Sequence, residues 1–166
     1  MYELLKLFFD ICLFKKGPED IPSSEWLLRL LIPVYACISY IILNLDSGGF
    51  NAALQVIVEI VLVLGLSRII LAVAKKTERY QQTTCALMAT DALISFFALP
   101  ALSTLIGQGN AWPFIVVVFL MMWHWAVSGH IFSHALDQPI GFGLGVSFLY
   151  ILTFYQVIGF LFIAST

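Results

Sequence analysis

Five long apolar segments follow one another along this chain, separated by short polar connectors. An α-helix rises about 1.5 Å per residue, so about 20 residues cross the ~30 Å hydrocarbon core of a bilayer. Each segment is long enough to do so, and the sequence predicts an all-α membrane protein with a bundle of five transmembrane helices. We place the spans near residues 26–45, 52–74, 82–106, 112–136 and 139–164, with connectors at 46–49, 75–80, 107–110 and 137–138.

The composition agrees with a membrane location. Of 166 residues, 61% are hydrophobic and 11% are charged, whereas soluble domains carry about 25% charged residues. No connector is long enough for a soluble domain, so we expect residues 1–166 to form a single integral membrane domain. The net charge of −2 gives no support for a nucleic-acid-binding surface. Cys12, Cys37 and Cys85 lie far apart, in a pattern that indicates buried thiols rather than a disulfide framework or a zinc site.

A short apolar helix is predicted before the first span, over residues 2–14 within an interfacial segment 1–16. Its polar residues Glu3, Lys6 and Asp10 fall on one side. At about 20 Å the helix is too short to cross a bilayer. It therefore either lies in the interface, with lysines near anionic headgroups, or packs against the bundle or a partner protein. Two prolines and a glycine within residues 17–22 end it.

Lysine and arginine are confined to one side of the predicted topology. Lys6, Lys15, Lys16 and Arg29 lie on the N-terminal side of the bundle, and the second connector adds Lys75, Lys76 and Arg79 on the same side. The first and third connectors and the C-terminal tail contain none. Because basic residues are enriched on the cytoplasmic side, we expect a cytoplasmic N-terminus and a C-terminus on the opposite side.

Four ionisable residues lie deep inside the predicted spans: Glu59, Arg68, Asp91 and His124. Ionisable groups are costly in a membrane and mark candidate functional sites. We expect Arg68 and Asp91 to form an ion pair, and Glu59 to meet His124. Each pairing has a structural interpretation, which is a contact that fixes the packing of the helices, and a functional one, which is the passage of ions or protons. Arg68 has a third option, in which it extends to the headgroups.

All three histidines lie on the fourth span. His130 and His134 are four residues apart, so they share a helix face and could hold a metal ion. Haem ligation by these histidines or by His124 would need a second axial ligand from another subunit. The alternative is hydrogen bonding across helices. Span five begins with the pattern Gly141-x-x-x-Gly145, which predicts a close helix approach, and Ser128-Gly129 offers a matching surface on span four.

Two resemblances add to this interpretation. The N-terminal segment followed by five closely spaced spans resembles the layout of Yip1-domain membrane proteins. Residues 9–22, FDICLFKKGPEDIP, resemble a segment of small uncharacterised inner-membrane proteins of proteobacteria. The second resemblance implies a bacterial source, and together with the distribution of basic residues it leads us to expect an inner-membrane protein with a periplasmic C-terminus.

Three functions are compatible with these features. The leading hypothesis is a non-catalytic scaffold or accessory subunit of a larger membrane assembly, with a membrane-protein partner or a second copy of the chain. The second is a small transporter or proton-conducting subunit that uses Glu59, Asp91, Arg68 and His124. The third is a haem-binding redox subunit. No catalytic motif supports an enzyme.

Overall fold

A computed structural model describes residues 2–45, 48–108 and 111–163. The predicted connector residues Asp46, Ser47, Gly109 and Asn110, and the predicted end of the fifth span at residue 164, lie outside the described residues. The described part contains six α-helices and no strand. Their bounds are α1 Tyr2–Cys12, α2 Glu25–Leu43, α3 Gly49–Val73, α4 Tyr80–Gln108, α5 Ala111–Leu136 and α6 Ile140–Ile158, after which a π-helical turn covers Gly159–Ile163.

Helices α2 to α6 are each long and apolar enough to cross a membrane. The prediction of five spans in an all-α bundle is therefore confirmed, and the chain is a polytopic membrane protein. Helix α4 lies in the centre of the bundle, where it packs against α1, α2, α3 and α5. Every residue from Thr83 to Thr90 is buried. This central position is compatible with the polar content of that segment, because the hydroxyl groups of Thr83, Thr84 and Thr90 are buried in protein rather than exposed to lipid.

The N-terminal helix α1 packs on the side of the bundle against α4 and α5. Leu7, Phe8, Ile11 and Cys12 form its buried face. Burial raises the pKa of the Cys12 thiol to about 11, so this cysteine is an unreactive apolar side chain. Cys85 is buried as well, whereas Cys37 is exposed, contrary to the expectation that all three thiols are buried.

Three helices end in the same way on one end of the bundle. One or two residues after each helix, a residue adopts a left-handed backbone conformation, and the next N–H group bonds to a carbonyl five residues earlier, as in a Schellman motif. The left-handed residues are Phe14, Lys75 and Asp137, with φ of 59°, 56° and 53°. The returning bonds join Lys15 to Asp10, Lys76 to Leu71 and Gln138 to Ser133, at 2.9, 2.8 and 3.0 Å.

Charged side chains connect the end of α3 with the end of α5. We call this end of the bundle the charged end. Asp137 accepts from Arg79 at 2.8 Å and pairs with Lys76 at 2.5 Å. Arg79 also donates to the carbonyl oxygen of His134 at 2.8 Å. These contacts join the turn between α3 and α4 to the turn between α5 and α6.

The closest helix approach lies between α5 and α6, at Gly129 and Gly143. A Cβ atom added at Gly143 would lie 2.3 Å from the Gly129 carbonyl oxygen, and one added at Gly129 would lie 2.6 Å from a Leu144 methyl group. The sequence pattern had placed this approach at Gly141 and Gly145. Both of these glycines are exposed, with nothing within 4 Å of an added Cβ. Two residues along α6 rotate the direction of a side chain by about 200°. Gly143 therefore faces α5, whereas Gly141 and Gly145 face away from it.

Candidate intramembrane site

Glu59, Asp91 and His124 converge in the middle of the bundle from three different helices. By helical rise, each lies about 15 to 20 Å from the nearer end of its helix, and the helices that carry them are α3, α4 and α5. The three side chains line one cavity of about 380 Å³. Three ionisable groups therefore share one space at the depth of the hydrocarbon core.

Asp91 and His124 form the central contact of this site. The Nδ1 atom of His124 lies 3.5 Å from Oδ1 of Asp91, with 31% and 23% of their side chains exposed. Both residues line the cavity. A carboxylate and an imidazole at this separation can exchange a proton through one water molecule.

Glu59 lies in the same cavity but has different neighbours. Its side chain is buried, with 9% exposed, and the side chains of Ser39 and Gln55 lie within hydrogen-bonding reach of its carboxyl group. The expected contact between Glu59 and His124 is not formed, because His124 pairs with Asp91 instead. Glu59 is a second carboxyl group in the site rather than a partner of the histidine.

Arg68 does not belong to the site. Its side chain is exposed on α3, and within the described part of the chain Asp91 has His124 rather than Arg68 as its ion-pair partner. The predicted pair of Arg68 and Asp91 is therefore wrong. Glu59 faces inward from α3, and Arg68 nine residues later faces the opposite way, because each residue turns the helix by about 100°.

His130 and His134 lie near the charged end, where both bind the N-terminal segment. His130 Nε2 donates to the Lys16 carbonyl oxygen at 3.0 Å. His134 Nδ1 lies 2.7 Å from Oε1 of Glu19. Among the described residues, no group of three or more His, Cys, Asp or Glu side chains is placed to hold a metal ion. Metal or haem ligation through these ring nitrogens would have to break both contacts.

Several residues of the site were not predicted from the sequence, because they are uncharged. Tyr35 and Ser39 line the cavity from α2, Gln55 from α3, Ser95 from α4, and Tyr150 and Tyr155 from α6. A signal for most of them is present in the spacing. Tyr35 and Ser39, Gln55 and Glu59, and Asp91 and Ser95 are each four residues apart, and residues four apart share one face of a helix. Three helices thus each turn a polar pair toward one point.

The fold and the site together define a polytopic helical membrane protein with an internal cavity that is lined by two carboxyl groups and a histidine. No protein-family model, curated protein or solved structure matches the chain.

Proposed function

We propose that this protein is a small transport protein that moves protons through its central cavity, alone or together with a bound solute. The observation that carries the proposal is the pairing of Asp91 with His124 at 3.5 Å on the wall of that cavity, at mid-membrane depth. Ionisable side chains are retained inside a membrane mainly where they act on an ion, a proton or a ligand.

The cavity supports transport over a purely structural role for the pair. A polar pair that only fixes helix packing is enclosed by neighbouring side chains, because protein interiors are packed as densely as organic crystals. Here the pair borders a space of about 380 Å³, which has room for several water molecules. Water in this space would connect Asp91 and His124 with Glu59, which lines the same cavity, and would give a proton more than one acceptor within the site.

The chemistry of the pair suits proton movement. When the Asp91 carboxyl group takes up a proton, the neutral imidazole of His124 remains as a hydrogen-bond partner. When the proton passes to His124, the imidazolium ion is compensated by the carboxylate next to it. The pair therefore avoids an isolated charge in a medium of low dielectric constant, which would be costly in either direction.

Measurement of proton flux tests this function. The protein is reconstituted into liposomes with an internal pH-sensitive dye, and a potassium diffusion potential drives protons inward. Asp91→Asn and Glu59→Gln should lower the flux, by about tenfold or more for Asp91, the lower end of what general acid–base groups contribute. Arg68→Gln is the matched control and should leave it unchanged. Wild-type flux equal to that of protein-free liposomes would overturn the proposal.

The membrane and the orientation are part of the same proposal. We place the protein in the cytoplasmic membrane of a bacterium, with the charged end in the cytoplasm. In support, Lys16 and the segment around Glu19 contact α5 at the charged end, where Lys76 and Arg79 also lie. Basic residues from both parts of the chain thus share one end, as the positive-inside rule requires. Alkaline phosphatase fused after residue 166 should be active in the periplasm, and an inactive fusion would reverse the orientation.

An accessory role in a larger assembly is the second candidate. The observation in its favour is the outer face of α1, where Tyr2 and Leu5 are 79% and 53% exposed beside the polar residues Glu3 and Lys6. A helix with this mixed face at the edge of a bundle can dock a partner protein. If it does, a protein that co-purifies with the wild type in mild detergent should be lost from the Leu5→Ser variant and retained by the lipid-facing control Ile57→Ser.

A further inference from the structure

We infer that the central cavity binds a small organic cation, of the size of a primary amine that carries one ring. This inference rests on the proposed function, because it names the kind of solute that the same cavity would take. The charge of the side chains that line the cavity favours a cation. The described residues that line the cavity include the carboxyl groups of Glu59 and Asp91 and the imidazole of His124, whereas none of them is a lysine or an arginine. The exposed guanidinium group of Arg68 lies outside this set.

The aromatic rings in the wall of the same cavity favour an organic cation. The rings of Tyr35, Tyr150, Phe154 and Tyr155 line the cavity together with the two carboxyl groups. An organic cation is attracted to the face of an aromatic ring as well as to a carboxylate, and the attraction is stronger away from water. Rings and carboxyl groups that line one cavity therefore match a solute that has a charged nitrogen and an apolar body.

The hydroxyl group of Tyr150 also suits a cation. Tyr150 is 7% exposed and lines the cavity together with Asp91. Within the part of the chain that the structure describes, its hydroxyl group has no hydrogen-bond partner and is accessible from the cavity. Its oxygen is therefore able to accept a hydrogen bond from a ligand. An ammonium N–H group of a bound cation would supply it while a second N–H group meets Asp91.

Size distinguishes an organic cation from a metal ion. The cavity volume of about 380 Å³ lies within the range of small-molecule sites, which is about 300 to 1,000 Å³. A sodium or calcium ion prefers a tight shell of oxygen ligands and would leave most of the aromatic wall without a contact. A ring-bearing amine places its nitrogen between the carboxyl groups and its ring among the side chains of α6.

Calorimetric titration of the full chain in nanodiscs tests the inference. The probe is 2-phenylethylamine, and its neutral analogue 2-phenylethanol and sodium chloride are the comparison ligands. The amine should bind at least about tenfold more tightly than the alcohol, a difference of about 1.4 kcal/mol. Asp91→Asn should remove this preference, and Tyr150→Phe should weaken amine binding several-fold. Arg68→Gln should leave the affinity unchanged.

The results of the amine titration and of the proton-flux measurement distinguish failure of the inference from failure of the proposed function. Equal binding of amine and alcohol, no binding of either, or amine binding that survives both Asp91→Asn and Tyr150→Phe overturns the inference. Tyr150→Phe removes a single oxygen atom and provides the test if Asp91→Asn does not fold. Proton flux that depends on Asp91 in a protein without amine binding leaves the proposed function standing. Amine binding without proton flux supports the inference and overturns proton transport.

Discussion

His124 on α5 and Asp91 on α4 meet in the interior of the bundle, with Nδ1 and Oδ1 3.5 Å apart. The contact joins the central helix α4 to its neighbour α5 at the wall of a cavity that also holds Glu59. It brings together two of the four ionisable side chains that were predicted deep within the spans, and it does not include Arg68.

The approach of α5 to α6 should depend on Gly143. Gly143→Ala would place a Cβ atom 2.3 Å from the Gly129 carbonyl oxygen, so the helices must move apart. We expect a loss of about 1 to 3 kcal/mol in the free energy of unfolding, as for other overpacked interiors, measured by unfolding in mixed micelles. Gly145→Ala, with open space around it, should be neutral or should stabilise the protein by up to about 1 kcal/mol. Equal effects of the two substitutions would contradict the described packing.

The contact between α3 and α4 should depend on a pair of hydroxyl groups. Ser67 Oγ and Thr84 Oγ1 lie 3.1 Å apart, and both residues are fully buried. Thr84→Val keeps the shape and removes the hydrogen bond, which should cost about 0.6 to 1.7 kcal/mol of unfolding free energy, the range of such bonds in membrane proteins. Thr104→Val is the control, because the hydroxyl group of Thr104 is exposed and bonds to its own helix at the Pro100 carbonyl oxygen. A larger effect at position 104 than at 84 would count against this contact.

The charged end should lose stability in acid. Hydrogen bonds from Arg79 and then from Lys76 lower the pKa of Asp137 from 3.8 to about 2. A depressed carboxyl pKa stabilises the folded state above the unfolded value, and this stabilisation is lost as the pH falls through the folded value. The difference in Tm between wild type and Asp137→Asn should therefore be constant above about pH 5 and should shrink from about pH 4 to about pH 2.

The control for this acid dependence is Glu3→Gln on α1. Glu3 is an exposed carboxylate for which the described residues provide no ion pair. Its difference in Tm from the wild type should stay near zero over the whole pH range. A difference for Asp137→Asn that stays unchanged down to pH 2 would show that the ion pairs with Arg79 and Lys76 do not stabilise the folded protein.

The number of spans could be predicted from sequence because length and apolar content belong to each segment alone. The rotation of each helix about its axis could not. Helices α3, α4 and α5 are apolar on nearly all sides, so no hydrophobic face indicates which way a side chain points. The sequence interpretation therefore paired Arg68 with Asp91 although Arg68 faces away from the cavity, and it placed the helix approach at Gly141 and Gly145 instead of Gly143.

The cavity was beyond prediction for a different reason. It exists because polar side chains from α2, α3, α4 and α6 reach the same level of the bundle, and that register depends on how the helices pack. The spacing of four between Gln55 and Glu59, and between Asp91 and Ser95, was visible in the sequence. Its meaning became clear only when the structure turned both pairs toward one space.

Proton flux in a double-mutant cycle is the most direct test of the paired action of Asp91 and His124. Asp91→Asn, His124→Gln and the double variant are compared with the wild type in liposomes, after each has been shown to have the wild-type Tm. If the two residues act as a unit, each single variant should lose about tenfold or more of the flux, and the double variant should lose no more than either one. Flux that survives both single substitutions, or losses that simply multiply in the double variant, would contradict paired proton transfer.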